Sequence, residues 1–201
     1  MNDRAGIFAG DDPFEIARQW LAEATPVEPS DANAMALATV DDTGMPDVRV
    51  VLLKGIEADR FVFFTNYESN KGRQIASSGK VAFNIHWKSL KRQIRVRGLI
   101  AKEPAESSDA YYQSRPLGSR IGAWASQQSA PIAEKQVLVD AVQQAELDHG
   151  ETPQRPPHWG GYNITPLEIE FWSDGAFRLH DRFCWSRENT NSDWKIRRLN
   201  P

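Results

Sequence analysis

Residues 35–55 read MALATVDDTGMPDVRVVLLKG: two runs rich in apolar and β-branched residues, parted by Asp41-Asp42-Thr43-Gly44. Runs of this composition build strands, and an acid cluster ending in glycine builds a turn. Three more runs follow at similar spacing, RFVFFTN (60–66), KVAFNIHW (80–87) and RQIRVRGLI (92–100), with only a short helical piece after Ser69 between them. Five strands that do not alternate with long helices point to an antiparallel barrel, not a doubly wound parallel sheet.

Working outward, DDPFEIARQWLAEA (11–24) has Asp12 placed to cap and Pro13 at the first helical position. Phe14, Ala17, Leu21 and Ala24 would share one face, so the segment reads as an amphipathic helix. TPVEPSDAN (25–33) is a linker. Residues 104–149 read as helical, broken at SRPLGS (114–119) and ended by Gly150. The proline-rich ETPQRPPHWGG (151–161) is a loop, and YNITPLEIEFWSDG, AFRLHDRFCWSRE and WKIRRL supply closing strands. The expected class is mainly β with peripheral helices (α+β). An N-terminal arm and helix occupy 1–30, and a single barrel domain with a helical insertion at about 104–149 occupies 31–201.

Composition narrows the chemistry. With 40% hydrophobic and 25% charged residues among 201, the chain can bury a real core. A net charge of -3 argues against a general nucleic-acid binder, so any cationic site must be local. The single cysteine, Cys184, excludes an internal disulfide and reads as a packed thiol between Phe183 and Trp185. The N-terminus lacks a basic-then-apolar signal, and no apolar run approaches the ~20 residues that span a bilayer. The expected location is the cytoplasm. The four histidines, His86, His149, His158 and His180, lack metal-ligand spacing, so no metal is expected. Glycine-rich phosphate loops of the G-x-G-x-x-G and P-loop kinds are also missing from the sequence.

What remains are basic and amide residues on or beside strands. DVRVVLLKG reads as a strand buried on both faces, bracketed by Arg49 and Lys54, which stand five apart and so point to opposite faces. In RQIRVRG, Gln93, Arg95 and Arg97 share a face, and Arg95 and Arg97 read as a solvated strand edge. If FRLHDRF (177–183) is extended, Arg178, His180 and Arg182 crowd one strip, which calls for an anionic or electron-rich partner.

Seven segments in order, RVVLLKG, FFTNYESNKG, WKSLKRQIRVRG, YYQSRPLGSRIGAWASQQS, HWGGY, IEFW and FRLHDRF, together resemble the pyridoxamine 5′-phosphate oxidase family. The resemblance runs from about Pro13 to Pro201. It implies an FMN-binding split β-barrel and a homodimer with two FMN sites at the subunit interface. It further implies oxidation of pyridoxamine 5′-phosphate or pyridoxine 5′-phosphate to pyridoxal 5′-phosphate, with molecular oxygen reoxidising the flavin to give hydrogen peroxide.

Carried over by residue, the resemblance puts FMN on Arg49, Val50, Val51, Leu52, Leu53 and Lys54, with Phe64, Thr65, Lys71, Gln93, Gln128, Ser129, Trp172 and Arg182. It puts the substrate phosphate on Lys54, Tyr111, Arg115 and Ser119, and sets Arg178 and His180 over the substrate ring as the catalytic pair. Cations and hydroxyl or amide donors suit a phosphate dianion, and Gln93 can both donate and accept at a flavin edge. Two positions depart from the family pattern: Phe64 stands where a tyrosine is usual and Asn70 where an arginine is usual. The N-terminal Arg-x-x-Tyr element of some members has no counterpart in DRAGIFAG (3–10). Two other readings stay open: a related flavin oxidase of another ring system, such as a phenazine precursor, and a carrier that binds FMN or pyridoxal 5′-phosphate without turnover.

Overall fold

A computed structural model describes residues 4–201; residues 1–3 of the N-terminal arm lie outside it. Helix α1 (Pro13–Ala24) starts where Asp12 accepts the Phe14 amide at 2.9 Å, with Pro13 at its first turn. Its buried face is Phe14, Ile16, Ala17, Trp20 and Ala24. Leu21, expected on that face, is only partly buried, because the large Trp20 ring takes the centre of the contact and edges against Trp87 and Phe171.

Eight strands follow: β1 (Ala34–Val40), β2 (Pro46–Ile56), β3 (Phe61–Asn66), β4 (Lys80–Trp87), β5 (Arg92–Lys102), β6 (Trp159–Ser173), β7 (Asp181–Ser186) and β8 (Lys195–Arg198). Their order is β3-β2-β1-β4-β5-β6-β7-β8, and an added β3–β6 pairing closes the first six into a barrel. The closing strand β6 has 15 residues. Its first half pairs with β3 (Trp159↔Asn66 to Ile164↔Phe61), while its second half carries β7 (Glu168↔Ser186 to Ser173↔Asp181). Closure removes the free edges that an open sheet would leave. The interior is filled by Leu37, Phe63, Phe83, Val96, Ile169 and Phe171, each no more than 2% exposed.

Two sequence expectations fail here. Strand β2 is not buried on both faces: Leu53 is 2% exposed, but Val48 is 64% and Val50 67%. Only part of β2 faces the core, and the exposed valines border the cleft described below. The stretch 177–183 is not one extended segment either. Ala176–Arg178 form a 3-10 turn in which Phe177 (φ 58°) and Arg178 (φ 65°) adopt left-handed backbone, and β7 begins only at Asp181. Strand alternation therefore does not place Arg178 on one strip with His180 and Arg182.

The helices pack outside the barrel. Helix α2 (Asn70–Ser78) is capped by Ser69, whose Oγ accepts the Gly72 amide at 3.3 Å, and ends at Gly79 in a left-handed conformation. Gly72 is required: a Cβ there would stand 2.0 Å from the Tyr67 carbonyl oxygen. The insertion contains α3 (Ala105–Ser114), α4 (Leu117–Ala125) and α5 (Lys135–His149), with the break at Arg115-Pro116 and Gly150 as C-cap. Among the described residues, no helix is long and apolar enough to cross a membrane.

Candidate active site

A cleft of about 930 Å³ runs along β2, and its far wall is built by the end of α3, by α4 and by the loop after α4. Arg49, Lys54, Lys71 and Arg115 line it against one carboxylate, Asp47. The lining takes residues of both strand parities from Asp47 to Leu52, so Arg49 and Lys54 reach the same cleft despite their odd spacing. Lys54 sits at a register shift between Leu53 and Gly55, a bulge that bends the strand there.

The first group of donors is tied together at the start of α2. Arg49 forms an ion pair with Asp47 and donates to the Leu37 carbonyl at 3.2 Å and to the Gln74 side chain at 3.2 Å. Lys71, 8% exposed, donates to Ser69 Oγ at 3.2 Å and to Gln128 Oε1 at 2.9 Å, and Thr65 Oγ1 donates to the same Gln128 oxygen at 3.4 Å. Burial pushes the Lys71 ammonium below its usual range, Arg49 pushes it further, and Asp47 opposes them. A buried cation beside another cation and a helix N-terminus favours an anion. Asn70 also lines the cleft, but its Oδ1 accepts from Arg73 at the next turn. Ser129, after Gln128, has left-handed backbone (φ 74°).

The second group surrounds an aromatic stack. Phe64 lies flat on Tyr111 with centroids 3.8 Å apart and on Trp159 at 5.7 Å. Arg115 lies 4.5 Å over the Trp159 ring. Tyr111 and Arg115 were expected together on one helical face; Arg115 is instead the extended C-cap of α3 (φ -79°, ψ 150°), and both still line the cleft. Burial pushes the Arg115 guanidinium down in pKa, and its Nη1 is buried with no hydrogen-bond partner among the described residues. Ser119 enters from the first turn of α4.

Not every expected residue is in this cleft. Leu53 points into the core. Gln93, Trp172, Arg182 and His180 form a second cluster elsewhere on the chain: Gln93 pairs with Trp172 across β5–β6, Trp172 pairs with Arg182 across β6–β7, and the Trp172 and His180 rings are 4.7 Å apart, while Arg178 is exposed in the turn before His180. Arg182 is already engaged within its own chain. Glu170, 2% exposed, accepts from its Nε at 2.8 Å, and the Asn200 carbonyl accepts from its Nη1 at 2.8 Å. Asp181 partners Arg198, and Arg95 also reaches Glu170.

Sequence reasoning missed Trp159, Asp47, Asn66 and Glu170. Trp159 had a signal, the HWGGY segment, in which two glycines let β6 pass close: a Cβ at Gly160 would stand 2.1 Å from the Tyr67 hydroxyl oxygen. Glu170 had only the alternation in LEIEF (167–171), which does not say which acid is buried.

A six-stranded antiparallel barrel closed by β3–β6, with a basic cleft on its flank, is a split-barrel architecture. Residues 22–148 match the family model described as pyridoxamine 5′-phosphate oxidase, and residues 159–201 match the pyridoxine 5′-phosphate oxidase C-terminal dimerisation region. The chain belongs to the pyridoxamine 5′-phosphate oxidase family. It is 61% identical to a pyridoxine/pyridoxamine 5′-phosphate oxidase of Cereibacter sphaeroides, over 99% of this chain and 100% of that one. It is 58% identical to the Roseobacter denitrificans protein of the same name, over the full length of both. Among solved structures, PhzG from Burkholderia lata, in complex with tetrahydrophenazine-1-carboxylic acid, superposes with a TM-score of 0.89 at 28% identity, covering 96% of this chain and 94% of that one.

Proposed function

We propose that the chain is an FMN-dependent oxidase that converts pyridoxamine 5′-phosphate or pyridoxine 5′-phosphate to pyridoxal 5′-phosphate. The observation that carries this reading is the cleft itself: four cations against one carboxylate, sorted into one group around Lys71 and another around Arg115. Two phosphate-bearing ligands need two such groups. A substrate without phosphate would leave Lys54, Tyr111, Arg115 and Ser119 with nothing to hold, which disfavours a phenazine-type substrate.

The residues fit FMN. Arg49, Lys71, Thr65, Gln128 and Ser129 offer cationic, hydroxyl and amide donors for its phosphate, and the Val50–Leu52 backbone gives an edge for a flat ring. Bound FMN would accept two electrons from the substrate and pass them to molecular oxygen, giving hydrogen peroxide. On the substrate side, Arg115 would hold the phosphate with its partnerless Nη1, and the Trp159 and Phe64 stack would fix the guanidinium plane. Lys54, Tyr111 and Ser119 complete that cradle. Fixing the phosphate orients the reacting carbon, which converts binding energy into alignment.

Gln93, Trp172, Arg182, Arg178 and His180 would serve the cleft of a second copy. Four of these five fall in the segment matching the family's dimerisation region, and none lines the cleft of its own chain. The homodimer would thus complete two sites, with Arg178 and His180 over the substrate ring as catalytic residues.

The deciding experiment is reconstitution with FMN followed by oxygen uptake. A yellow dimer that consumes oxygen and releases peroxide with pyridoxamine 5′-phosphate supports the proposal. A protein that binds FMN without turning this substrate over would be a carrier, and a monomer retaining stoichiometric FMN would overturn the shared site.

A further inference from the structure

Two rows of side chains cross β5, β6 and β7. Gln93, Trp172 and Arg182 stand in register in the first, and Arg95, Glu170 and Cys184 in the second. Paired positions on neighbouring strands share a face, and so do positions two apart along one strand, so both rows lie on the same face of the sheet. The first row consists of residues given to FMN above. The second holds a carboxylate with no task in that reading: Glu170, 2% exposed, at a position that an apolar side chain could fill at less cost.

The two oxygens of Glu170 are divided between two cations. Oε1 accepts from Arg182 Nε at 2.8 Å and lies 2.7 Å from Nη2 of the same guanidinium, while Oε2 pairs with Arg95. Arg95 is half-exposed and also lies 3.6 Å from Glu168, so water and a second carboxylate are within its reach. Arg182 is more enclosed. Its other acceptor is the Asn200 carbonyl, 2.8 Å from Nη1, which is held there because the Leu199 amide donates to the Arg182 carbonyl at 2.9 Å.

A guanidinium is planar, and each Nη carries two N–H groups. Glu170 and Asn200 fix that plane from two sides, and each Nη keeps at least one N–H beyond these partners. The side chain therefore presents a fork whose direction is set before any ligand arrives. We propose that Glu170 is a positioning residue for the cofactor: through Arg182 it presets this fork toward the FMN in the cleft of a second copy. A loose arginine samples many rotamers, and ordering it on binding would weaken the cofactor. Arg182 has already lost that freedom on folding.

The inference rests on Arg182 touching FMN, and a double-mutant cycle separates the two. Glutamine keeps the volume of Glu170 but offers one acceptor oxygen to two arginines. In fluorescence titration of apo-protein, Glu170→Gln should bind FMN about tenfold more weakly, the scale of ordering one long side chain. In an Arg182→Gln background the same change should cost less than about twofold more, because a residue that acts through another has nothing left to act on. At saturating FMN, the KM for pyridoxamine 5′-phosphate should hold in Glu170→Gln, whereas a loosened barrel would raise it. If Glu170→Gln fails to form a dimer, Arg95→Gln combined with Glu170→Gln, which leaves no unpaired Arg95, takes its place with the same expected loss. With Arg182→Gln impaired, native FMN affinity in the Glu170 variant, or losses that simply multiply, would overturn the inference alone. Native FMN affinity in Arg182→Gln would overturn the contact between Arg182 and FMN, and this inference with it.

Discussion

Arg115 carries an energetic debt that substrate would settle, and Arg115→Met should expose it. The guanidinium has a buried Nη1 with no partner, and burial already depresses its pKa. A buried donor left unbonded costs about 1–3 kcal/mol. Methionine keeps much of the stem's packing and removes that donor, at the loss of the stacking on Trp159, worth about 0.5–1 kcal/mol. The net is a ligand-free protein more stable by about 1 kcal/mol, a Tm rise of about 2–4 °C for a chain of this size. Binding should move the other way. Losing one charge-assisted hydrogen bond to phosphate, about 1.5–3 kcal/mol, weakens substrate about 10–150-fold. Thermal unfolding of the FMN-loaded dimer with and without product reads both effects. At 100 times Kd the native protein should gain about 2.7 kcal/mol, and the variant at the same concentration far less. A variant that melts several degrees lower and still gains the full ligand increment would refute the argument, because Arg115 would then be a structural cation.

Three further outcomes follow from the same geometry. Asn70→Arg should tighten FMN by about tenfold at low salt, since about 1.4 kcal/mol is that factor, and the gain should shrink as salt rises; flavin fluorescence titration of apo-protein checks it, and unchanged affinity would mean that Arg73, already bonded to Asn70, fills the role. Arg178→Ala and His180→Ala should each lose turnover or substrate affinity while keeping the yellow cofactor, and loss of FMN in either would contradict the division of labour. Burial pushes the Cys184 thiol up to about 11 from its ordinary value near 9, so the unfolded chain ionises first and stability should fall as pH rises from about 9 to 11. Cys184→Ala should flatten that part of a urea-midpoint profile, and an unaltered slope would assign it to other groups.

The barrel was legible because its strands announce themselves by composition and turns: every run chosen between Met35 and Ile100 is a strand, and Asp12, Ser69 and Gly150 sit at helix ends. Closure was not legible. The β3–β6 pairing joins segments about a hundred residues apart, and no local pattern encodes it. The turn at 176–178 was misread because Leu179 and Phe183 alternate like a strand, and left-handed backbone at Phe177 has no glycine to mark it. The site residues came from motif resemblance. Physical reading alone offered Arg49 and Lys54 but could not place Tyr111 or Trp172 in a site, because an aromatic side chain looks the same whether it lines a core or a cleft. Glu170, which neutralises Arg95 and Arg182, was invisible for a related reason: alternation does not reveal which carboxylate is enclosed.

The dual pairing of β6 also sets a timetable. During synthesis from the N-terminus, β1 to β5 emerge first, then the whole helical insertion, and only afterwards Trp159–Ile164, the segment that joins β3. Until then the nascent sheet has two open edges, β3 and β5, with apolar side chains such as Phe61, Phe63, Ile94 and Val96 beside them, the condition under which unpaired strands find wrong partners. The same strand that ends this interval immediately supplies the track for β7 and β8. Completion of the barrel and appearance of the dimerisation segment are therefore one event on the ribosome, and a chain cut before residue 159 would lack both.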